Sequence, residues 1–256
     1  MGVLKLVLAY DGTDFRGFAR QPGQRTVQSV LEEALGRVLR SVPRLSVAGR
    51  TDAGVHAEGQ VVSFEADADP DRVRRAVNAM LGPEVVVRRA ARAPAEFDAR
   101  RSATAREYRY RIRAGTVPDP FTSRYEWHRP GTYGLRRMRR AARLLEGEHE
   151  FASFCRAAQE QASTVRTLDR LAVRSHGEVL EVRARAGSFL HQMVRSLVGT
   201  LAAVGEDQME PETMTEVLEA RSRAAAGPVA PPHGLTLVRV FYGSRPAETL
   251  ERGDPS

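Results

Sequence analysis

A carboxylate, a guanidinium, a hydroxyl and an imidazole occur together in Gly49-Arg50-Thr51-Asp52-Ala53-Gly54-Val55-His56-Ala57, which lies between two strand-like stretches. Glycines on both sides of the cluster allow backbone angles that present a carboxylate and a guanidinium from one tight loop. An aspartate close to an arginine can be kept ionised, because a nearby cation lowers the pKa of a carboxyl group. Asp52 is therefore a candidate catalytic carboxylate. The same pattern also fits an ordinary turn with a self-capping aspartate and a solvated Arg50.

A second candidate is an isolated cation. Arg195 carries the only formal charge between Arg185 and Glu206. A guanidinium on an apolar helix must find an anion or bear a large burial cost, unless it reaches solvent at the edge of the helix. The spacing alone leaves both placements open.

A third candidate is an aromatic on a basic strand. Residues 106–114 alternate, so that Tyr108 shares one face with Tyr110 while Arg109, Arg111 and Arg113 share the other. The pattern by itself favours core aromatics opposite a solvated basic face.

The elements that must position these residues follow the order β-α-β-β-α-β twice. In the first half we expect strands at 3–10, 45–48, 60–64 and 84–91, with helices beginning after Thr26 and Asp69. In the second half we expect strands at 106–114, 166–174, 179–185 and 235–242, and helices at 135–145, 189–204 and from Pro211. The pattern predicts an α+β fold in which two ferredoxin-like halves, 1–103 and 104–245, form one pseudo-symmetric, mainly antiparallel sheet with helices on one face; a polar tail follows at 246–256.

Composition restricts the class of protein. The chain has 256 residues, 42% of them hydrophobic, and a net charge of +7, which favours a polyanionic partner. No stretch is long and apolar enough to span a membrane, and the N-terminus lacks the pattern of a signal peptide. One cysteine and six histidines without ligand spacing argue against a disulfide or a metal site. We expect a cytoplasmic protein.

Five stretches, spread over roughly residues 4–242, resemble the tRNA pseudouridine synthase A family in order and spacing. They are Ala48–Ala57, Tyr10-Asp11-Gly12-Thr13-Asp14-Phe15, Ser102–Tyr110, Phe189-Leu190-His191-Gln192-Met193-Val194-Arg195 and Pro232-His233-Gly234-Leu235. The resemblance implies an enzyme that isomerises uridine to pseudouridine at positions 38, 39 and 40 of the tRNA anticodon stem-loop. It also implies a homodimer and no metal or organic cofactor.

By this resemblance Asp52 is the essential catalytic residue and Arg195 pairs with its carboxylate. Tyr108 lies against the target base, where it stacks and assists removal of the C5 proton. Arg50 helps to extrude the target nucleotide, Arg166 is a further substrate-binding arginine, and Leu235 forms an apolar wall of the uracil pocket.

One departure concerns the first loop, where Phe18-Ala19-Arg20-Gln21 replaces the tryptophan and glutamine that are common in the family. His56 is equally consistent with a catalytic and a structural role. In the implied dimer, we expect the helix 136–143 and the arginine face of the strand 106–114 to line a tRNA cleft.

Two other functions stay open at this point. A non-catalytic RNA-binding protein could have the same fold and charge, although binding alone does not require a carboxylate that faces a polyanion. The same isomerisation could also take place on another RNA, because substrate choice depends on the shape of the whole cleft.

Overall fold

A mainly antiparallel sheet of ten strands organises the computed structural model, which describes residues 2–156 and 163–243. Its strands are β1 (Gly2–Tyr10), β2 (Ser46–Val47), β3 (His56–Ala66), β4 (Val85–Ala93), β5 (Ala103–Arg113), β6 (Trp127–His128), β7 (Gly147–Glu150), β8 (Val165–His176), β9 (Val179–Ala186) and β10 (Leu235–Tyr242). The α-helices are α1 (Val27–Leu39), α2 (Pro70–Leu81), α3 (Leu135–Leu145), α4 (Met193–Gly205) and α5 (Met214–Glu219). The polar tail expected at 246–256 lies outside the described residues.

Helices α1 and α2 begin where their capping residues predict. Thr26 accepts a hydrogen bond from the amide of Ser29, and the Ser29 hydroxyl accepts one from the amide of Thr26, which closes a capping box. Asp69 accepts bonds from the first free amides of α2, and Pro70 is the first helical residue. Local sequence therefore determines both starting points.

The sheet repeats one strand order. The orders β4-β1-β3-β2 and β10-β5-β9-β8 are equivalent, and a parallel contact between β3 and β10 joins them. The predicted α+β fold with two ferredoxin-like halves in one sheet is confirmed. The division at residue 103 stays a prediction, because hydrogen bonding runs through the sheet without interruption.

Strand β5 separates the core from an ion-paired face. The even-numbered residues from Tyr108 to Ile112 are buried in the hydrophobic core, to which the helices contribute their apolar sides. On the opposite face Arg109 pairs with Glu58 at 2.6 Å, and Arg113 pairs with Glu126 at 2.8 Å. Glu58 and Glu126 therefore balance the charges of Arg109 and Arg113, two of the arginines that we expected to line a tRNA cleft.

Helix α3 uses its arginines in a similar way. Arg137 lies 2.8 Å from Asp207, and Arg140 lies 2.6 Å from Glu212. The two arginines therefore fasten α3 to the segment that follows α4, and their charge is partly balanced within the chain.

Helix α4 begins one turn later than its apolar pattern suggests. The expected start at Phe189 is wrong, because Gln192 has a φ of 61°, in the left-handed region, and the helix begins at Met193. The residues before it stay outside the helix, so the Phe189 ring packs edge-on against Tyr108 with 5.2 Å between ring centroids.

Strand β3 has two neighbours along the same edge. Residues 56–57 pair in parallel with β10, whereas residues 62–63 pair with β2. Between these regions Gly59 lies against β10 so closely that a Cβ atom would be 2.3 Å from the carbonyl oxygen of Val238. The chain that leaves β2 must return along this edge to begin β3, which fixes the path of residues 48–55.

His56 ties three segments together below that loop. Its Nδ1 accepts a bond from the amide of Gly12 at 3.0 Å, and its Nε2–H faces the carbonyl oxygens of Arg124 and His233 at 2.9 and 3.1 Å. The ring is buried, and burial lowers its pKa although the Asp11 carboxylate, 3.1 Å from Nδ1, acts in the opposite direction. The contacts assign His56 a structural role as a neutral imidazole.

Replacement of Gly59 by alanine should lower the free energy of unfolding by about 1–3 kcal/mol, because the added methyl group must push β10 away from β3. Urea denaturation measures the change. Gly131→Ala is the control, since a Cβ there meets only the Tyr133 ring at 3.8 Å. Equal effects of the two substitutions would contradict the close packing at the junction.

His56→Gln should make stability less dependent on pH. The pKa of His56 is lowered in the folded state, so the unfolded state binds more protons below pH 6.5, the ordinary value, and folding weakens as pH falls. His233, whose pKa burial also lowers, contributes in the same direction. Unfolding titrations between about pH 7 and 5 should show a shallower slope for His56→Gln than for wild type. Exposed His176→Gln should retain the wild-type slope; an unchanged slope in His56→Gln would refute the assignment.

Candidate active site

A cleft of 2810 Å³ opens above the loop 48–55. It exceeds the usual volume of a small-molecule site, about 300–1,000 Å³, which indicates a macromolecular ligand. Among the described residues eleven arginines and six carboxylates line it. The excess of positive charge suits a polyanion.

The loop that carries Asp52 is anchored through its other residues. The carbonyl of Gly49 accepts a bond from Gln60 at 2.6 Å, and the Thr51 hydroxyl bonds with that of Tyr10 at 2.7 Å. The carbonyl of Thr51 also accepts the amide of Phe18. These contacts fix the backbone that leads into Asp52 and leave its carboxylate free to face the cleft.

The loop between β1 and α1 packs closely against the loop 48–55. A Cβ atom on Gly12 would lie 2.0 Å from the carbonyl oxygen of Val55, and a Cβ on Gly17 would lie 3.0 Å from that of Thr51. Gly17 has a φ of 92°, which a residue with a side chain rarely adopts. The backbone of the first loop thus supports the loop 48–55, which carries Asp52.

The Asp52 carboxylate faces two nitrogen groups of the second half. One oxygen lies 3.5 Å from Nη1 of Arg195, and the other lies 3.5 Å from Nε2 of His191. Arg195 is held in turn by a 2.7 Å bond from its Nε to the carbonyl of Ala230. With 29% of its side chain exposed, Asp52 stays reachable from the cleft.

Tyr108 lies beside this pair, almost fully buried. Burial raises the pKa of its hydroxyl, and the nearby charge of Asp52 raises it further. The phenol is therefore protonated at neutral pH and can donate a hydrogen bond. Its ring edge, fixed against Phe189, forms an aromatic wall of the cleft.

The remaining predicted residues occupy different parts of the cleft. Leu235 is buried and lines it as an apolar surface. Arg50 is exposed and has no hydrogen bond or ion pair with any residue that the structure describes. Arg166 also lines the cleft, but its Nη1 binds the carbonyls of Ser163 and Val165, and it makes no contact with Asp52 within the described residues.

Sequence reasoning missed His191 as a site residue. It stands four residues before Arg195, so the expected helix over 189–204 would already have placed both side chains on one face, although no role was assigned to His191. The structure also shows the role of Phe18 in the divergent first loop: the side chain is fully buried near Tyr10 and packs in the core.

The described part of the chain lacks two further features. Residues 2–156 and 163–243 bring together no group of three histidine, cysteine, aspartate or glutamate side chains that could hold a metal ion. The same part of the chain has no helix with the length and apolar character needed to cross a bilayer.

Comparison with known proteins places this arrangement in a family. The family model described as tRNA pseudouridine synthase matches residues 6–100 and 141–243. The tRNA pseudouridine synthase A of Methylobacterium nodulans is 48% identical over 93% of this chain and 95% of its own length. That of Geobacillus kaustophilus is 42% identical over 93% of this chain and 94% of its length.

Among solved structures, a Cbf5–Nop10–Gar1 complex resembles 78% of this chain, and the likeness covers 45% of that one, at 16% identity and a TM-score of 0.37. This likeness is too distant to support an argument. The sequence relatives and the family match, which extend over both halves of the sheet, are sufficient: the chain belongs to the tRNA pseudouridine synthase family of isomerases.

Proposed function

We propose that this chain converts uridine to pseudouridine at positions 38, 39 and 40 of the tRNA anticodon stem-loop, with Asp52 as the essential residue. The observation that carries the proposal is an accessible carboxylate, held by Arg195 and flanked by Tyr108, at the centre of a large basic cleft. The names of the relatives supply the reaction class and tRNA as the substrate. A cytoplasmic location accords with that substrate.

The reaction rearranges one nucleotide without a co-reactant. The C1′–N1 bond breaks, the uracil turns, a C1′–C5 bond forms, and the proton lost from C5 is balanced by one gained at N1. A carboxylate can attack the sugar or the ring, or abstract a ribose proton to give a glycal, and Asp52 is suited to each of these routes. Arg195 balances the charge of the carboxylate throughout.

The other cleft residues receive the base. Tyr108 stacks on the uracil and assists the proton movement at C5, while Leu235 gives the ring an apolar surface. A paired uridine must first be flipped out of its stem, at a cost of a few kcal/mol. Arg50 is exposed and unpartnered within the described residues, so it is free to enter the stem and occupy the vacated space. Arg166, at the cleft wall, contributes a contact to the RNA backbone.

We also propose that the active form is a homodimer that holds one tRNA across both subunits. The arginines of α3 and of the β5 face are partly balanced by carboxylates, so the unmatched arginines of the cleft supply most phosphate contacts. Light scattering at micromolar concentration tests the assembly, and a monomer would refute this part of the proposal.

Mapping of pseudouridine in tRNA tests the substrate. tRNA from a strain that lacks the gene should have uridine at positions 38 to 40, and a plasmid copy should restore the modification. Restoration at other positions or in another RNA would support the same chemistry on a different substrate. Specific tRNA binding without conversion would support a non-catalytic RNA-binding protein.

Asp52→Asn should reduce the isomerisation rate by about 10³-fold or more, because the amide can act neither as a base nor as a nucleophile. The affinity for tRNA and the free energy of unfolding should stay close to wild type, since the carboxylate faces the cleft and does not pack in the core. Asp67→Asn is a matched control, because Asp67 lines the same cleft and its side chain is 83% exposed. Release of tritium from [5-³H]uridine in tRNA measures the rate. Near-native turnover by Asp52→Asn would exclude the proposed mechanism.

A further inference from the structure

Arg106 is a buried cation whose bonding partners are all backbone carbonyls. The residue is 9% exposed, and no carboxylate pairs with it among the described residues. Its Nε and Nη2 bind the carbonyl of Ala48 at 3.0 and 2.6 Å, and Nη2 also binds that of Arg100 at 3.1 Å. Its Nη1 binds the carbonyls of Ala103 and Gly187 at 3.3 and 2.5 Å.

A guanidinium in this setting is costly for the fold. Burial without a counter-ion disfavours the charged form and lowers the pKa of Arg106. Five hydrogen bonds to four carbonyls compensate for the lost solvation. They use the planar fork of arginine, which a lysine ammonium cannot reproduce.

The four carbonyls belong to three different segments of the chain. Ala48 begins the loop that leads to Asp52, and Gly187 begins the segment that leads to His191 and Arg195. The other two carbonyls, at residues 100 and 103, lie where the chain enters β5. One side chain thus joins the carboxylate-bearing loop to the segment that supplies both groups at 3.5 Å from the carboxylate.

Tyr108 is tied to the same point. It follows Arg106 by two residues on β5, so the two side chains emerge on the same face of the sheet. A Cβ atom on Gly49 would lie 3.9 Å from the Tyr108 hydroxyl and 4.0 Å from Nε of Arg106. The Asp52 loop, the segment that carries His191 and Arg195, and Tyr108 are therefore all positioned next to the guanidinium of Arg106.

We propose that Arg106 is a positioning residue for the isomerisation: it holds the Ala48–Asp52 loop against the Gly187–Arg195 segment so that the carboxylate meets Arg195 and His191 beside Tyr108. The proposal rests on the proposed function for its kinetic consequence, but the tie between the two segments stands independently of it.

Two variants and a control test the kinetic consequence. Arg106→Ala should lower kcat by about 100-fold, the scale expected for a displacement of about 1 Å of a catalytic group. KM for tRNA should change little, because Arg106 borders the cleft but is only 9% exposed and its nitrogens are bound to backbone carbonyls. Arg106→Lys should give an intermediate kcat, since it keeps the charge but not the fork. Arg183→Ala, on the adjacent strand β9 with carboxylate partners Glu107 and Glu181, should retain wild-type kcat.

Hydrogen exchange separates this inference from the proposed function. In Arg106→Lys the amides of 49–55 and of 187–192 should both exchange faster than in wild type, while those of α1 should not. The lysine variant carries the test if the alanine variant does not fold. Unchanged exchange in either segment, wild-type kcat in Arg106→Lys, or a defect confined to KM would overturn the positioning role. A wild-type enzyme that is inactive on tRNA would refute the proposed function alone, because the exchange result would still report the tie.

Discussion

A carboxylate in a cleft that binds a polyanion is repelled by the phosphates of its own substrate. The ion pair between Asp52 and Arg195 makes that position tolerable, because the guanidinium balances the charge without covering the carboxylate. Separate hydrogen bonds hold each partner of this pair in place. The loop that carries Asp52 is held through Gly49 and Thr51, and Arg195 is held through Ala230, so neither partner relies on the other for its position.

The distribution of arginines distinguishes structure from recognition better than their number does. Arg137 and Arg140 on α3, and Arg109 and Arg113 on the outer face of β5, have carboxylate partners, whereas Arg106 has carbonyl partners. Arg50 has none among the described residues and lies next to the proposed reaction centre. A chain with one lysine, thirty-eight arginines and a net charge of +7 thus retains part of its positive charge for the cleft and uses the rest to join its own elements.

The fold was largely predictable because its signals are local. Alternation identified β1, caps identified the starts of α1 and α2, and the strand order followed from the repeated pattern. The start of α4 was not predictable, since nothing local signals the left-handed Gln192. The strand expected at 45–48 is present as β2, but only over the two residues that pair with β3. Arg106 reads as one more arginine on a basic strand, because its significance depends on carbonyls 58 and 81 residues away in the chain.

The edge of β3 also governs the order in which the site is assembled. β8, the counterpart of β2 in the second half, runs for 12 residues, whereas β2 has 2, because β10 occupies part of the edge that β2 would otherwise follow. β10 is also the last strand of the described chain to be synthesised. During translation the part of the β3 edge that β2 does not cover therefore stays open until β10 has been made, and an open edge can pair with foreign strands. β10 closes this edge once it has been made, and its first residue, Leu235, also completes the lining of the cleft.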